Sequence, residues 1–544
     1  MTAPPQADAL SRALAGLHDG GSLDWEAVST HPNTYGDYET RYTAIIDIGS
    51  GSARAVVMQV NPGGGIEMVA QQRLNLNLMS HVGIDSVLDA SGVASTLDAL
   101  EDFAQVARGF GVDSIHAVGT AALRESANAS AVLKAAEDRF GINLEIIDGG
   151  DEAAHCFIGA IHGLPVSDGM LADIGGGSTE IVQFNGRAMG SSVSLPLGSL
   201  RIANQFRLTD LPKAEDMDDA HEYIHATLHE AGVPRLLPGE SLVGSGGSVR
   251  LLSRLDRGRE PYPIIKVHGY QIEANNLAEH ARGLASMSCV ERAGTSGMNP
   301  ERSHSIVGGA VVAHALAQYV NADSILVSGQ GLREGLARQS DCLFTENAVS
   351  VPPVASVRIA SLTDLASRFV PRFHLRGRRR AALASRVGAS AWESGERHMR
   401  WPLECAAYLL DIGNAIDFYN RLNRTASIIV RTDLPGFTHR ESAYVAAILL
   451  TADRGRVPAR FRRSRLLSGN DANLIEQAAA ALTLVDELDN HLPLECPASV
   501  VQVGRQHGIF TVATPVWSRV AGPQIKEWWD AAFGEEINIM RCES

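Results

Sequence analysis

Lysine is nearly missing from this chain: Lys134, Lys213, Lys266 and Lys526 are all it has, and no Gly-Lys-Ser or Gly-Lys-Thr occurs. A P-loop nucleotide site cannot lack that lysine, so the class is excluded. Cysteine is also sparse. The six residues Cys156, Cys289, Cys342, Cys405, Cys496 and Cys542 lie far apart with no Cys-x-x-Cys, which excludes a zinc ribbon and a disulfide framework and suits the reduced thiols of a cytoplasmic protein. No apolar run approaches the roughly 18–20 residues needed to span a bilayer, so no membrane partner is expected. The opening Met1-Thr2-Ala3-Pro4-Pro5 lacks the apolar core of a secretory signal. Nor is there an excess of positive charge: the formal net charge is −15, which argues against a nucleic-acid partner.

What is present describes an ordinary globular protein of several cores: 544 residues, 45% hydrophobic and 20% charged. Its most informative feature is a pair of similar loops, Asp47-Ile48-Gly49-Ser50-Gly51-Ser52 and Asp173-Ile174-Gly175-Gly176-Gly177-Ser178-Thr179-Glu180. Each follows an apolar β-like run and turns through Gly and Ser into a second one. Glycine lets successive backbone N–H groups converge on an anion, and hydroxyls add donors without bulk. An Asp opening each loop can hold a metal or a water rather than repel a phosphate. One such loop is weak evidence, whereas two in the same strand–turn–strand setting suggest the halves of a phosphate clamp.

Five segments follow from composition and periodicity. Residues 1–40 are rich in Ala, Pro, Gly and Asp and read as a flexible extension. Residues 41–150 alternate strand and helix, with helices expected over Gly92–Phe110 and Ala121–Phe140. Residues 151–345 repeat that grammar from Asp173 onward. Residues 346–490 are rich in Ala, Leu and Arg at helical spacing, as at Leu474, Ile475, Ala478, Leu482 and Val485. Residues 491–544 alternate around Gly504 and Gly508, then give a short amphipathic helix, which fits a small α+β domain. Two α/β units on one plan imply two lobes facing a cleft.

Further chemistry sits at strand ends. Asp148-Gly149-Gly150-Asp151-Glu152 follows a strand and opens a helix. Such acids serve either as caps for the helix dipole or as a carboxylate placed to deprotonate water. Arg124 lies on the first turn of a helix that leaves a strand, where a guanidinium could grip a terminal phosphate or simply be solvated. The turns Gly244-Ser245-Gly246-Gly247-Ser248-Val249-Arg250 and Ser328-Gly329-Gln330-Gly331-Leu332-Arg333 are further Gly-rich entries to helices.

The stretches DIGSGSAR, VGTAALRESAN, DGGDEA, DIGGGSTEIV, LPLGSLR, GSGGSVR and SGQGLREGL fall in one order across residues 43–340. That order resembles the exopolyphosphatase/guanosine-pentaphosphate phosphatase (Ppx/GppA) family of the actin–Hsp70–sugar-kinase superfamily. The resemblance implies two actin- or ribonuclease-H-like α/β lobes around a cleft, an all-α HD-like domain and a small α+β C-terminal domain. It also implies that Glu152 activates water and that Arg124 holds the terminal phosphate. Gly49, Ser50, Gly51, Ser52, Arg54, Gly175, Gly176, Gly177, Ser178, Thr179 and Gly246 would bind the phosphate chain, with Asp47, Asp173 and Glu180 supporting Mg²⁺. A homodimer is a further expectation from the family.

The chain departs from the family pattern in places. Gly51 stands where Asn is usual, and Asp151-Glu152 stands for a Glu pair. Leu409-Leu410-Asp411-Ile412-Gly413 and Arg424 stand where the HD-like domain would carry imidazoles, so no metal is expected there. Two arginine clusters, one with Arg372, Arg376, Arg378, Arg379 and Arg380 and one with Arg454, Arg456, Arg460, Arg462, Arg463 and Arg465, read either as a polyanion track or as solvated helix faces paired with acids. On the first reading Arg378 and Arg379 contact substrate. The expected activity is Mg²⁺-dependent release of orthophosphate from inorganic polyphosphate. The rivals are a guanosine-pentaphosphate 5′-phosphatase, a superfamily ATPase or sugar kinase, and a non-catalytic sensor of polyphosphate or of guanosine tetra- or pentaphosphate.

Overall fold

A computed structural model describes Trp25 and residues 41–60, 65–83, 85–339, 343–345, 348–370, 374–392, 394–506, 509–517 and 521–542. Apart from Trp25, the expected extension over residues 1–40 lies outside the described residues. The chain divides into two compact units. One comprises Tyr38–Arg259 and Val267–Val354, and the other Met1–Asp37, Glu260–Lys266 and Ala355–Ser544. Among the described residues, no helix is long and apolar enough to cross a membrane.

The first unit holds two sheets. In the first, β1 (Arg41–Ile48) is central because Ala44, Ile45, Ile46 and Ile48 are buried on both faces. It forms a hairpin with β2 (Ser52–Val60), which pairs with β3 (Ile66–Asn75), and lies parallel to β4 (Ser114–Gly119), itself beside β5 (Leu144–Ile146); the order is β3-β2-β1-β4-β5. One face is covered by α1 (Ala90–Phe110), through Leu97, Leu100 and Phe103. Asp89 caps α1 by accepting from the Gly92 amide at 2.7 Å.

The single helix expected over Ala121–Phe140 is broken into α2 (Ala121–Arg124) and α3 (Ala129–Phe140). Polar side chains between them compete for the backbone. The Ser126 hydroxyl donates to the Ala122 carbonyl at 2.6 Å, and the Asn128 amide pairs with both backbone groups of Leu88 at 2.9 Å. This break ends α2 just after Arg124.

The second sheet follows α4 (Gly149–His162) and repeats the plan. β6 (Gly169–Ile174) turns back into β7 (Thr179–Asn185), β8 (Ala188–Leu195) follows, and β9 (Ser241–Ser245) lies parallel to β6 as β4 does to β1. β10 (Gln271–Glu273) and β11 (Ser324–Val327) extend one edge; β12 (Leu343–Thr345) and β13 (Ala348–Ser350) extend the other. Because β13 still pairs with β8, the helical stretch expected from residue 346 starts instead at Val354. Between the strands lie α5 (Ser199–Gln205), α6 (Gly247–Arg257), α7 (Ile306–Tyr319) and α8 (Leu332–Ala337).

α4 and α8 cross at very close range. A Cβ at Gly159 would lie 2.0 Å from the Gly331 carbonyl oxygen, and one at Gly335 would lie 1.8 Å from that of His155. Leu336 and Ala337 of α8 also pack under the first sheet against Ile45, Val56 and Val118. The helix that carries Glu152 is thereby held by backbone contact to an element that touches both lobes.

The second unit is helical through α9 (Val354–Phe369), α10 (His374–Ala391), α11 (Arg400–Leu409), α12 (Arg421–Ile429), α13 (His439–Arg454) and α14 (Asp471–His491). Leu474, Ile475, Ala478, Leu482 and Val485 all face its core, as their spacing requires. A three-stranded sheet, β14 (Gln502–Gln506), β15 (Ile509–Thr514) and β16 (Ile537–Arg541), packs with α15 (Gly522–Phe533) at the end of the chain. Trp25 is buried in this unit, donating to Glu404 at 2.8 Å and stacking on Trp401 and Tyr408.

The first arginine cluster is internal at Arg379 and Arg380, and the expectation that Arg379 contacts substrate needs correction. Arg379 is buried, pairs with Asp489 at 2.6 Å and donates to the carbonyls of Pro493 and Cys496. Arg378 is half-buried on the same helix. Arg376 reaches Asp489 at 2.8 Å, and the fully buried Arg380 is paired with Asp411. The compensating acids lie far along the chain on other elements, where no local pattern reveals them. Arg372 lies outside the described residues.

The glycine crossing gives a direct test. Gly159→Ala forces α4 off α8 and is expected to cost about 1–3 kcal/mol, read as a lowered thermal midpoint together with a loss of the activity proposed below. An unchanged midpoint would show that the crossing is not the constraint described.

Candidate active site

The two Gly–Ser turns close in the same way: Gly49 N–H donates to the Ser52 carbonyl at 3.2 Å, and Gly175 N–H to the Ser178 carbonyl at 3.0 Å. They then meet. A Cβ on Gly177 would sit 2.9 Å from Ser50 Oγ, and one on Gly176 would sit 3.9 Å from the Gly51 nitrogen. Gly246 joins them from the end of β9. Its φ of +96° and the Ile174 carbonyl oxygen, 2.2 Å from where a Cβ would stand, admit only glycine. Together these turns line a cleft of about 180 Å³ that also takes in Asp47, Glu152 and Asp173.

Glu152 is on the first turn of α4, whose N-cap Asp148 accepts from the Gly150 and Asp151 amides at 2.7 and 2.9 Å. Arg124 Nη1 donates to Glu152 at 2.9 Å and to the Ile147 carbonyl at 3.0 Å. Burial, helped by the neighbouring Glu180 and Asp173, raises the Glu152 carboxyl above its ordinary range despite that guanidinium. Burial and Asp173 raise Glu180 in the same direction, although it accepts from Ser194 at 2.8 Å. Strand register sets this cluster: Asp173 lies opposite Glu180 across β6 and β7, as Asp47 lies opposite Arg54 across β1 and β2. Burial raises Asp47 as well, against the pull of Arg333 and Arg54.

Arginines line the same cleft: Arg54, Arg73, Arg250, Arg302 and Arg333. Burial and the proximity of Arg333 and Arg250 push Arg54 down to about 9, and burial with the nearby Arg250 pushes Arg302 down to about 10. Arg250 moves the same way, for the same reasons. Guanidiniums gathered at one cleft, each able to give paired N–H donors, form a site for an anion of several charges.

Of the residues anticipated from the sequence, Gly49, Ser50, Gly51, Ser52, Arg54, Gly175, Gly176, Gly177, Ser178 and Gly246 do line this cleft with Asp47, Glu152 and Asp173. Thr179 does not, because it is buried and its hydroxyl donates to the Leu197 carbonyl at 2.8 Å, holding the Leu-Pro-Leu-Gly-Ser loop. Glu180 is buried behind the wall, and Arg124 faces Glu152 rather than the lumen. The two Gly-rich turns that end in Arg250 and Arg333 line the cleft as well, whereas sequence reasoning missed Arg73 and Arg302. Arg250 and Arg333 each follow a Gly-rich turn, the same signal that pointed to Arg54. Arg73 on β3 and Arg302 carry no local signal.

Asp173 and Glu180 could hold a metal. Asp173 Oδ1 is buried without a partner, while Oδ2 accepts from Cys156 Sγ at 3.0 Å. Among the described residues, no group of three His, Cys, Asp or Glu side chains forms a ready cage. Two hard oxygen ligands without a third fit a cation that keeps most of its waters, as Mg²⁺ does, and do not fit zinc.

The raised carboxyl has a stability consequence. Folded Glu152 holds its proton more tightly than in the unfolded chain, so its contribution is most favourable below the ordinary carboxylate range and is lost as pH rises through the raised value. Glu152→Gln removes that cost. At about pH 8 the variant should melt above the wild type, with the gap narrowing toward about pH 5; an equal or lower midpoint at about pH 8 would contradict this.

Comparison with known proteins agrees with the geometry. The chain is 24% identical over 451 residues to a guanosine-5′-triphosphate,3′-diphosphate pyrophosphatase of Photobacterium profundum, covering 82% of this chain and 87% of that protein. It is 26% identical over 299 residues to exopolyphosphatase 1 of Mycobacterium bovis, covering 54% of this chain and 86% of that protein. In structure it is similar to the Aquifex aeolicus member of the Ppx/GppA family, with a TM-score of 0.50 and 25% identity over 56% of this chain and 98% of that one. The profile of the Ppx/GppA phosphatase family matches residues 56–341, more than half of the sequence, and the chain belongs to that family.

Proposed function

We propose that this phosphatase is an exopolyphosphatase that removes the terminal phosphate of inorganic polyphosphate by direct attack of water. The observation that carries the reading is the cluster of partly desolvated arginines that lines the same cleft as Glu152. A chain of phosphates offers one or more charges per unit to that cluster, and the glycine loops offer it backbone N–H donors. Glu152 takes the proton of the attacking water. Arg124, bound to Glu152 at 2.9 Å, keeps the base oriented. Arg54 and Arg250 offset the charge that develops on the leaving chain. Asp173 and Glu180 would hold Mg²⁺ through its waters, and the ion, when bound, would neutralise charge on the transferred phosphoryl group.

The helical unit fits an HD-like scaffold that holds no metal of its own, since Asp411 is engaged by Arg380 and Arg421. The second arginine cluster differs from the first: Arg454, Arg456, Arg460, Arg462 and Arg463 are exposed, and Arg454, Arg456 and Arg462 border a hollow of about 670 Å³. Such a surface suits a long polyanion more than a nucleotide. A second reading, a guanosine-pentaphosphate 5′-phosphatase, is favoured by one fact. The similarity to the Photobacterium profundum pyrophosphatase spans 82% of the chain and so extends into the helical unit.

Phosphate release with Mg²⁺ from long-chain polyphosphate and from guanosine pentaphosphate decides between them. Polyphosphate should be the better substrate, and Glu152→Gln should lower its turnover at least about a hundredfold. Replacing Arg454, Arg456 and Arg462 together with Ala should raise KM for the long polymer and flatten its salt dependence, leaving the nucleotide unaffected. Preference for the nucleotide would move the activity to the second reading. Binding of both without release would make the protein a sensor.

A further inference from the structure

We propose that Cys156 is a positioning residue that orients Asp173, so that one carboxylate oxygen is fixed by the thiol and the other is presented to the cation. The inference rests on the reading of Asp173 as a metal-supporting residue.

Cys156 is four residues after Glu152 on α4 and therefore on the same helix face, one turn deeper. Its side chain is completely buried, and its Sγ lies 3.0 Å from Asp173 Oδ2. Asp173 Oδ1 is buried and has no partner. A carboxylate with one oxygen bonded and the other bare, in the wall of a cleft, is arranged to offer the bare oxygen to a ligand. Without the thiol, both oxygens would be bare and the side chain could turn about its last torsion, which is a broad one.

The geometry also fixes which way the bond runs. The Cys156 thiol donates and Asp173 Oδ2 accepts. A weak donor suits the task, because it orients Asp173 without neutralising it as a guanidinium would. α4 thus performs two tasks from one face: Glu152 supplies the base, and Cys156 sets the neighbouring ligand. The α4–α8 glycine crossing lies at Gly159, three residues beyond Cys156, and holds both in register.

Three full-length variants separate the donor from mere filling of space. Cys156→Ser keeps a donor, Cys156→Val keeps approximate volume without one, and Cys156→Ala keeps neither. The first readout is the dissociation constant for Mn²⁺ in the presence of orthophosphate, followed by electron paramagnetic resonance without turnover. The second is the Mg²⁺ concentration giving half-maximal phosphate release. Val and Ala should weaken Mn²⁺ binding and raise the Mg²⁺ requirement about tenfold or more, with kcat at saturating Mg²⁺ within about twofold of wild type; Ser should return both constants to within about threefold. Thermal midpoints identify any variant that fails to fold, and the folded Ser–Val pair then decides. Equal constants for Ser and Val, or wild-type constants for Val, would overturn the positioning role while leaving the metal assignment intact. A wild type that binds no Mn²⁺ and needs no divalent cation would overturn both, and its own curves identify that case.

Discussion

The structure depends on an imbalance of charge held away from water. Glu152, Asp173 and Glu180 crowd together, with Asp173 and Glu180 raising the proton affinity of Glu152 and Asp173 that of Glu180, while Arg54, Arg250, Arg302 and Arg333 line the same cleft as Glu152 and Asp173. Carboxylates gathered in a buried site favour a proton or a cation, and arginines that repel one another favour an anion. A hydrated divalent cation bound with a polyphosphate chain would settle both demands at once.

Much of the fold keeps that imbalance in place. The two hairpin turns touch, and a Cβ on Gly177 would crowd Ser50 Oγ at 2.9 Å. The helix that carries Glu152 must not drift, and it is fixed by backbone contact with α8 at Gly159 and Gly335. Arg201 ties the lobes beside the turn, donating to the Gly177 carbonyl at 2.8 Å and pairing with Glu125, the neighbour of Arg124, at 2.9 Å. Across the cleft, Arg73 pairs with Glu301 at 2.5 Å. Exposed pairs of this kind contribute little stability individually; their effect here is to register one lobe against the other.

The parts of this site that are local in sequence could be read from sequence. The Gly–Ser turns, the acid at the start of α4 and the pairing of Asp47 with Arg54 follow from short motifs and from period-two strands. What could not be read depends on residues brought together from afar. Arg302 and Arg73 have no neighbour in sequence that marks them. Thr179 sits inside a motif yet faces the loop at Leu197. Arg379 looked like part of a basic track because its partner, Asp489, is on another helix. Arg250 and Arg333 were legible as the ends of glycine-rich turns, though their charge facing the cleft was not.

The central claim is that a buried carboxylate, raised by its surroundings, takes the proton of the attacking water. The pH dependence of kcat/KM for phosphate release from polyphosphate, at saturating Mg²⁺, tests it most directly. The account predicts an acid limb with its midpoint at about pH 8, well above an ordinary carboxylate, and the loss of that limb with the activity in Glu152→Gln. A wild-type rate that stays flat down to about pH 4.5, or a Glu152→Gln variant that keeps the same limb, would contradict it.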